Sequence, residues 1–560
     1  MQTARRLYVY LLAGIGLGVL VSGISLLLTT VLEAVGIGGG AVLSGEQATR
    51  ERLTLATAMT AVSLPVWLIH WFLAERSVHP DRAAADVERS SAMRGLYFAL
   101  VLGGLLIAAF VTLDSLITDA VLALLGEDVA FATHAGDIGL FVTAAAAWGY
   151  HLAIRLRDWR RGPIHGAGAW LPRAYLYVAT FVGLFVMLFG LAQLLGLVAR
   201  LALGDGAEPF DSSASWWALP LASALSPVIA GGATWLGHWW YASRLWADPG
   251  YRGTIERPAR LRFAGFVVVL VVSAASALGF GGEVGRLVLG ALLGVTDADP
   301  GAGGLLPDLV AAGAAAVLFA GTWWLHAGWL RRAADDPEAA GVVPRVDRLI
   351  AYPTALVGLA FGAVGIARLL GLVLDLLLGG GRVLSSGETS ERVFAQFVPY
   401  AVLGIGTWLW HWSTIRRAVA ADPAAEAAST VRRGALLLTL AVSLLAGVAS
   451  LGVVLYRLFG TLFGLEVPGD VTSQLSLPLG TLAVTVAVAV IHGRLLRADA
   501  SVRGEDAEPA AVVAAAAAPE VSLRLVGPAG TEPGTLAGVA DALRAQLPEG
   551  FELRDDRRMS

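Results

Sequence analysis

Cysteine is absent from the 560 residues. The chain therefore forms no disulfide, holds no thiolate-ligated metal and runs no thiol chemistry. Lysine is absent too, so all 40 basic residues are arginine. That removes Schiff-base catalysis and the lysine of a Walker-type phosphate loop. Charged residues of any kind make up only 15% of the chain, where about a quarter is usual for a soluble protein. The net charge of −4 comes without a concentrated basic patch, so nucleic acid is not an expected partner. Ionisable side chains are also missing from the middle of the long apolar stretches, where Gln193 and Gln396 are the main polar groups. Ion-coupled transporters usually carry buried ionisable groups or broken helices near the midplane. A proton- or sodium-coupled mechanism is therefore disfavoured, while passage of an apolar molecule stays open.

What the chain has is apolar surface. It is 56% hydrophobic, with a mean hydropathy of +0.68. A water-soluble core cannot absorb that much, so a bilayer is the expected solvent. Met1 to Arg6, followed by apolar residues from Leu7, superficially resembles a secretory leader. The apolar run exceeds an h-region of about 7–15 residues, and no clean cleavage site follows. A retained first span is expected.

A histidine returns at the end of successive apolar stretches: His70, His151, His238, His326, His411 and His492, at intervals of 81, 87, 88, 85 and 81 residues. Five of them follow a tryptophan by three residues: Trp67, Trp148, Trp235, Trp323 and Trp408. Each repeat opens on arginine, often beside an aromatic, as in Arg6-Leu7-Tyr8, Arg94 with Tyr97, Arg173 with Tyr175, Arg262-Phe263, Arg348 with Tyr352, and Arg432-Arg433. Two apolar segments of about 20 residues, each enough to cross a bilayer, lie in every repeat. The expected fold is all-α: a polytopic membrane protein of about twelve transmembrane helices, built as six tandem two-helix repeats near 5–78, 92–160, 172–246, 260–332, 346–418 and 431–497. Several first segments run on, as in Leu26–Val35 and Leu369–Leu378, either as tilted helix ends or as separate interfacial helices.

Arginine orients the array. The connections after even-numbered spans carry 22 arginines and the odd connections 8. By the positive-inside rule the even connections and both termini face the cytoplasm, as expected of a bacterial inner-membrane protein. Two spans per repeat give all six repeats one orientation, related by an axis along the membrane normal.

The Arg-aromatic opening and the helix Pro65-Val66-Trp67-Leu68-Ile69-His70-Trp71 resemble an uncharacterised bacterial membrane family, domain of unknown function 5671. The resemblance covers roughly residues 5 to 497 and departs in the sixth repeat, where Ala489 replaces tryptophan. It implies a polytopic membrane protein and supplies no activity or functional residues.

The Trp-x-x-His residues are the candidate site. Positions three apart share a helix face. The imidazoles could ligate haem, form a proton-conducting ring, or simply belong to an interfacial girdle with the tryptophans. The girdle is favoured by their closeness to the arginines: His70 precedes Arg76 by six residues and His411 precedes Arg416 by five. Outer-end charges (Glu33, Asp114, Glu283, Arg286, Arg368 and Arg457) read as snorkelling groups rather than an anion-binding ring. Gly14 and Gly18 form a GxxxG pair suited to close helix contact.

After an Ala/Pro-rich linker at 498–519, residues 520–560 read as a small cytoplasmic α/β appendage, with strands at 521–526 and 551–554 around a helix at 535–547. Its size is too small for an independent core. No catalytic residue, cofactor or metal is implied. The expected function is a non-enzymatic membrane scaffold or sensor, with the bilayer, a cytoplasmic protein or self-association through 520–560 as partners. A facilitator for a small uncharged or lipidic molecule and a haem-binding electron carrier are the alternatives.

Overall fold

In lipid each unpaired backbone N–H or C=O costs several kcal/mol, so a spanning segment must satisfy its own ladder as a helix. The computed structural model describes residues 2–37, 46–82, 84–127, 129, 134–204, 216–295, 304–339, 345–378, 390–464, 471–504, 538–539 and 541–543. Twelve of its helices are long and apolar enough to cross a membrane. They pair as α1 (Gln2–Ala34) with α2 (Glu46–Ser77), α4 (Ala92–Leu124) with α5 (Ala135–Arg160), α6 (Gly166–Leu203) with α7 (Ala218–Ala247), α9 (Arg260–Leu292) with α10 (Leu305–Ala334), α11 (Val346–Leu378) with α12 (Ser390–Ala421), and α14 (Thr430–Leu462) followed by α15 (Val471–Arg503). Three short helices lie between them: α3 (Ala85–Arg89), α8 (Tyr251–Glu256) and α13 (Pro423–Ala427). The chain divides into two units, residues 1–496 and 497–560.

The apolar continuations of the first helices are not separate elements. Helix α1 runs unbroken for 33 residues and α6 for 38. At 1.5 Å per residue, 33 residues reach about 50 Å, well beyond a hydrocarbon core of about 30 Å, so these helices tilt or project from it.

The α/β appendage is corrected. Among the described residues every regular element is helical and no strand occurs. The expected strands at 521–526 and 551–554 lie outside the described residues. Within the expected tail helix, residues 538–539 and 541–543 are described, and they are helical. A short apolar run bounded by turn residues fits a strand or a helix segment equally by periodicity. Helix α15 continues to Arg503.

Glycine sets how closely the odd hairpins close. A Cβ on Gly16 would stand 3.1 Å from the backbone nitrogen of Trp67, and one on Gly183 or Gly358 would stand 2.7 Å from those of Trp235 and Trp408. Three copies of one contact thus seat the recurring tryptophan against a bare backbone, the close approach that small residues permit in membranes. Gly14 and Gly18 do not make such a contact. Gly14 only grazes Tyr97 at 4.0 Å, and Gly18 has no neighbour within 4 Å. Both line an apolar groove of about 500 Å³ between α1 and α4, together with Leu11, Tyr97 and Gly104.

Hairpins join in a regular way. The first helix of each meets the second helix of the next: α1 with α5, α4 with α7, α6 with α10, and α9 with α12. Gly480 of α15 approaches Ala367 and Gly371 of α11 in the same relation.

Replacing Gly358 by leucine should lower the thermal midpoint of the detergent-solubilised protein, equivalent to about 1–3 kcal/mol of overpacking. Gly406, with no neighbour within 4 Å, should accept alanine without loss. Fluorescence-detected size exclusion after heating reads both, and equal midpoints for the two variants would remove the glycine contact from the account.

Candidate functional site

The recurring residues form a belt that links hairpins. Trp67 lies against His151 with ring centroids 6.4 Å apart, Trp148 against His238 at 6.2 Å, and Trp323 against His411 at 5.7 Å. Sequence spacing makes tryptophan and histidine neighbours within one helix; these ring contacts run instead from each tryptophan to the histidine of the following hairpin. Trp408 stacks on Trp412, and Trp412 meets His492 at 5.9 Å. Trp235 is held through its backbone by Gly183.

Five of the six belt histidines are locally anchored. The Nδ1 atoms of His70, His151, His238, His326 and His492 lie 2.7–2.9 Å from the carbonyl oxygen four residues earlier. A carbonyl only accepts, so Nδ1 carries the proton and Nε2 is left as the acceptor of a neutral ring. In two hairpins a tyrosine hydroxyl uses it: Tyr97 donates to His151 Nε2 and Tyr175 to His238 Nε2, each at 3.0 Å. Tyr175 also accepts from the indole of Trp148 at 2.9 Å, completing a Trp–Tyr–His chain across two hairpins. Tyr8 meets His70 edge-on at 5.3 Å. The place of Tyr97, three residues after the opening arginine, falls to Gly265 in the fourth hairpin, and the buried Nε2 of His326 has no hydrogen-bond partner among the described residues. Trp323 donates to Thr354 of the next hairpin at 3.1 Å.

At the arginine-rich end lies a second network, whose acidic half sequence reasoning missed. Arg6 pairs with Glu88 at 2.6 Å, Arg173 with Glu256 at 2.5 Å and Arg348 with Glu426 at 2.9 Å. The carboxylates follow their arginines by 82, 83 and 78 residues, a recurrence visible in the sequence once the arginines are aligned. Each sits on one of the short helices α3, α8 and α13, which turn the chain so that the carboxylate faces back to an earlier span. Caps fix those turns: Ser91 and Ser429 accept from the backbone N–H groups of Arg94 and Arg432, and Asp422 accepts from that of Ala425.

The densest cluster surrounds Arg94, which is 0% exposed, as is Asp158. Arg94 donates to Asp158 Oδ2 through Nε at 2.9 Å and Nη2 at 2.6 Å, to Glu75 at 2.8 Å and to the Tyr10 hydroxyl at 3.3 Å. Arg157 also pairs with Glu75. The guanidinium packs 5.0 Å from the Phe98 ring. Arg432 repeats one part of this, donating to Tyr352 at 3.2 Å, while Tyr352 donates to Glu426 at 3.3 Å.

Outside the spans two carboxylates are tuned in opposite senses. Burial pushes Glu256 above the usual carboxylate range, against the pull of Arg173. Hydrogen bonds from Arg257, at 2.8 Å to each oxygen, hold Glu338 below that range. The Glu338 pair therefore supports the fold at neutral pH and fails as pH falls through the lowered value, whereas acidification relieves the cost of burying Glu256.

Outer-end charges find partners nearby. Glu33 pairs with Arg52 at 3.2 Å and Glu283 with Arg286 at 2.7 Å, Asp114 accepts from Ser226 at 2.6 Å, and Arg368 lies 4.6 Å from the Phe397 ring centre. Among the described residues no group of three or more His, Asp or Glu side chains could hold a metal ion.

The fold and this network define a polytopic helical membrane protein built by repetition. The chain belongs to the family described as domain of unknown function 5671, whose model matches residues 6–150, 173–322 and 348–493. Each match is two hairpins with one short helix between them, and each begins on the arginine, Arg6, Arg173 or Arg348, that pairs with a short-helix glutamate. No curated protein and no solved structure matches the chain.

Changing Arg94 to alanine strands Asp158 in a dry site and should cost about 3–5 kcal/mol. The double change Arg94→Met with Asp158→Leu should recover most of it, since a buried pair replaced by apolar groups is often neutral. Thermal midpoints in detergent decide; a double variant as unstable as Arg94→Ala would argue against an ion-pair origin.

Proposed function

We propose that this protein is a non-enzymatic scaffold of the bacterial inner membrane, with both termini in the cytoplasm. One observation carries the reading: many polar atoms of the repeated residues are engaged inside the array, closing a hairpin on itself or tying it to the connection or hairpin beside it. Nε2 of His151 and His238 accepts from tyrosine, Glu88, Glu256 and Glu426 take the opening arginines, and Arg94 is wrapped by Asp158, Glu75 and Tyr10. Side chains that hold hairpins together in this way suit a fixed platform better than a moving transporter. Arginine crowding on the even connections supports placing that end in the cytoplasm, where residues 520–560 would offer a partner-binding or self-associating segment.

The apolar groove between α1 and α4 favours a second reading, a facilitator for a small uncharged or lipidic molecule. Its lining of leucine, glycine and Met93 suits an acyl chain. Vesicles reconstituted with the protein separate the two readings. The scaffold predicts that glycerol and urea flux, and the scrambling of labelled lipids, stay at the rate of empty vesicles. Faster flux or scrambling that is lost in a Gly14→Leu/Gly104→Leu protein would establish the facilitator and end the scaffold reading.

A further inference from the structure

The two end hairpins carry the unmatched halves of an interface that the array uses internally. Helices α4 and α9 open on Arg94 and Arg262, and each receives the second helix of the next hairpin, α7 and α12 respectively. Helix α14 opens on Arg432 in the same register, and among the described residues no further hairpin follows to cover it. At the other end α2, the counterpart of α7 and α12, packs on α1, and among the described residues no earlier hairpin meets it.

The contact positions match residue by residue. Twenty residues beyond the opening arginines stand Asp114, Gly282 and Gly452. Asp114 accepts a hydrogen bond from Ser226 of α7, and a Cβ on Gly282 would strike the Tyr400 ring of α12. Gly452 has no neighbour within 4 Å, and Leu451 and Leu455 beside it are exposed. On the partner face, Ser226 and Pro399 lie nine residues before Trp235 and Trp408, and both are buried. Their counterpart nine residues before Trp67 is Ala58, which is exposed. Thirteen residues before the tryptophans, Ala222 and Ala395 are buried and Thr54 is exposed.

From this continuity we infer that a second copy of the chain docks head to tail, its α2 lying on α14 as α7 lies on α4. The direction of each helix is right for it: α14 runs the way of α4 and α9, and α2 the way of α7 and α12, so the extended array stays in the bilayer plane. Small residues at Ala58 and Gly452 allow the close approach by which membrane helices associate without a hydrophobic drive. The interface is heterologous, so repetition gives a ring if the rotation closes and a row if it does not. Ala489 replaces the sixth tryptophan, so the Trp-to-Tyr hydrogen bond made by Trp148 is missing at this junction, and the apolar middle and outer parts of the helices must hold it. This surface lies apart from the arginine-rich end, so it can fail while the scaffold reading stands.

The absence of native cysteine makes the test direct. Full-length chains bearing Ala58→Cys and Gly452→Cys, with different tags, are co-expressed and oxidised in native membranes. A disulfide between the two tags should form several-fold more readily than between Gly452→Cys and an exposed control, Ile107→Cys. The protein carrying both substitutions should give a ladder or a closed multimer on gels. Crosslinks confined to like pairs, or mixed crosslinks no stronger than the control, would overturn the inference. Both substitutions sit on exposed positions, so solubility of the single variants by size exclusion guards against a folding artefact.

Discussion

A polar group that water cannot reach must find its partner inside the protein, and most of this structure follows from that. Backbone groups meet the demand by forming unbroken helices. Five of the six histidines meet part of it within one turn, through the carbonyl four residues back, which fixes which nitrogen carries the proton. What remains is met partly within a hairpin, where Tyr97 and Tyr175 reach Nε2 of His151 and His238, and partly between hairpins, where the indoles of Trp148 and Trp323 and the guanidinium of Arg94 find partners. The same requirement that makes each helix self-sufficient in its backbone makes each hairpin dependent on its neighbour in its side chains.

The repetition works at two levels. Hairpins recur with the histidines, yet consecutive hairpins are not equivalent. Those that begin at Arg6, Arg173 and Arg348 close on a glycine beneath the tryptophan and send their arginine to a glutamate on a short helix. Those that begin at Arg94, Arg262 and Arg432 instead turn their arginine toward the preceding hairpin, where Arg94 finds Tyr10 and Arg432 finds Tyr352. The family matches at 6–150, 173–322 and 348–493 follow this alternation. A tight hairpin and a bridging hairpin make one copy, and three copies make the array.

The spans were legible because twenty apolar residues in a row have one stable conformation in lipid, whatever their neighbours. The belt was legible as a recurrence of Trp and His, but its partners were not. Tyr97 and Tyr175 look like ordinary interfacial aromatics, and only the closing of their own hairpins brings them to an imidazole. Glu88, Glu256 and Glu426 sit in connections where a carboxylate normally faces water; short helices turn them inward, and their spacing from arginine exceeds any local pattern. The expectation of an α/β tail failed for the opposite reason. A few alternating residues next to Ala- and Pro-rich sequence carry little energetic preference for a strand over a helix, and no long apolar run was present to decide it.

Twelve helices cross lipid in this arrangement, with all the arginine-rich turns on one face. Single cysteines placed in this cysteine-free chain measure it most directly. Val35→Cys, Leu125→Cys and Phe463→Cys should react with a membrane-impermeant maleimide from one side of sealed vesicles, and Ser77→Cys, Arg161→Cys and Asp248→Cys only from the other. Labelling of both sets from the same side, or a mixture within either set, would contradict the account.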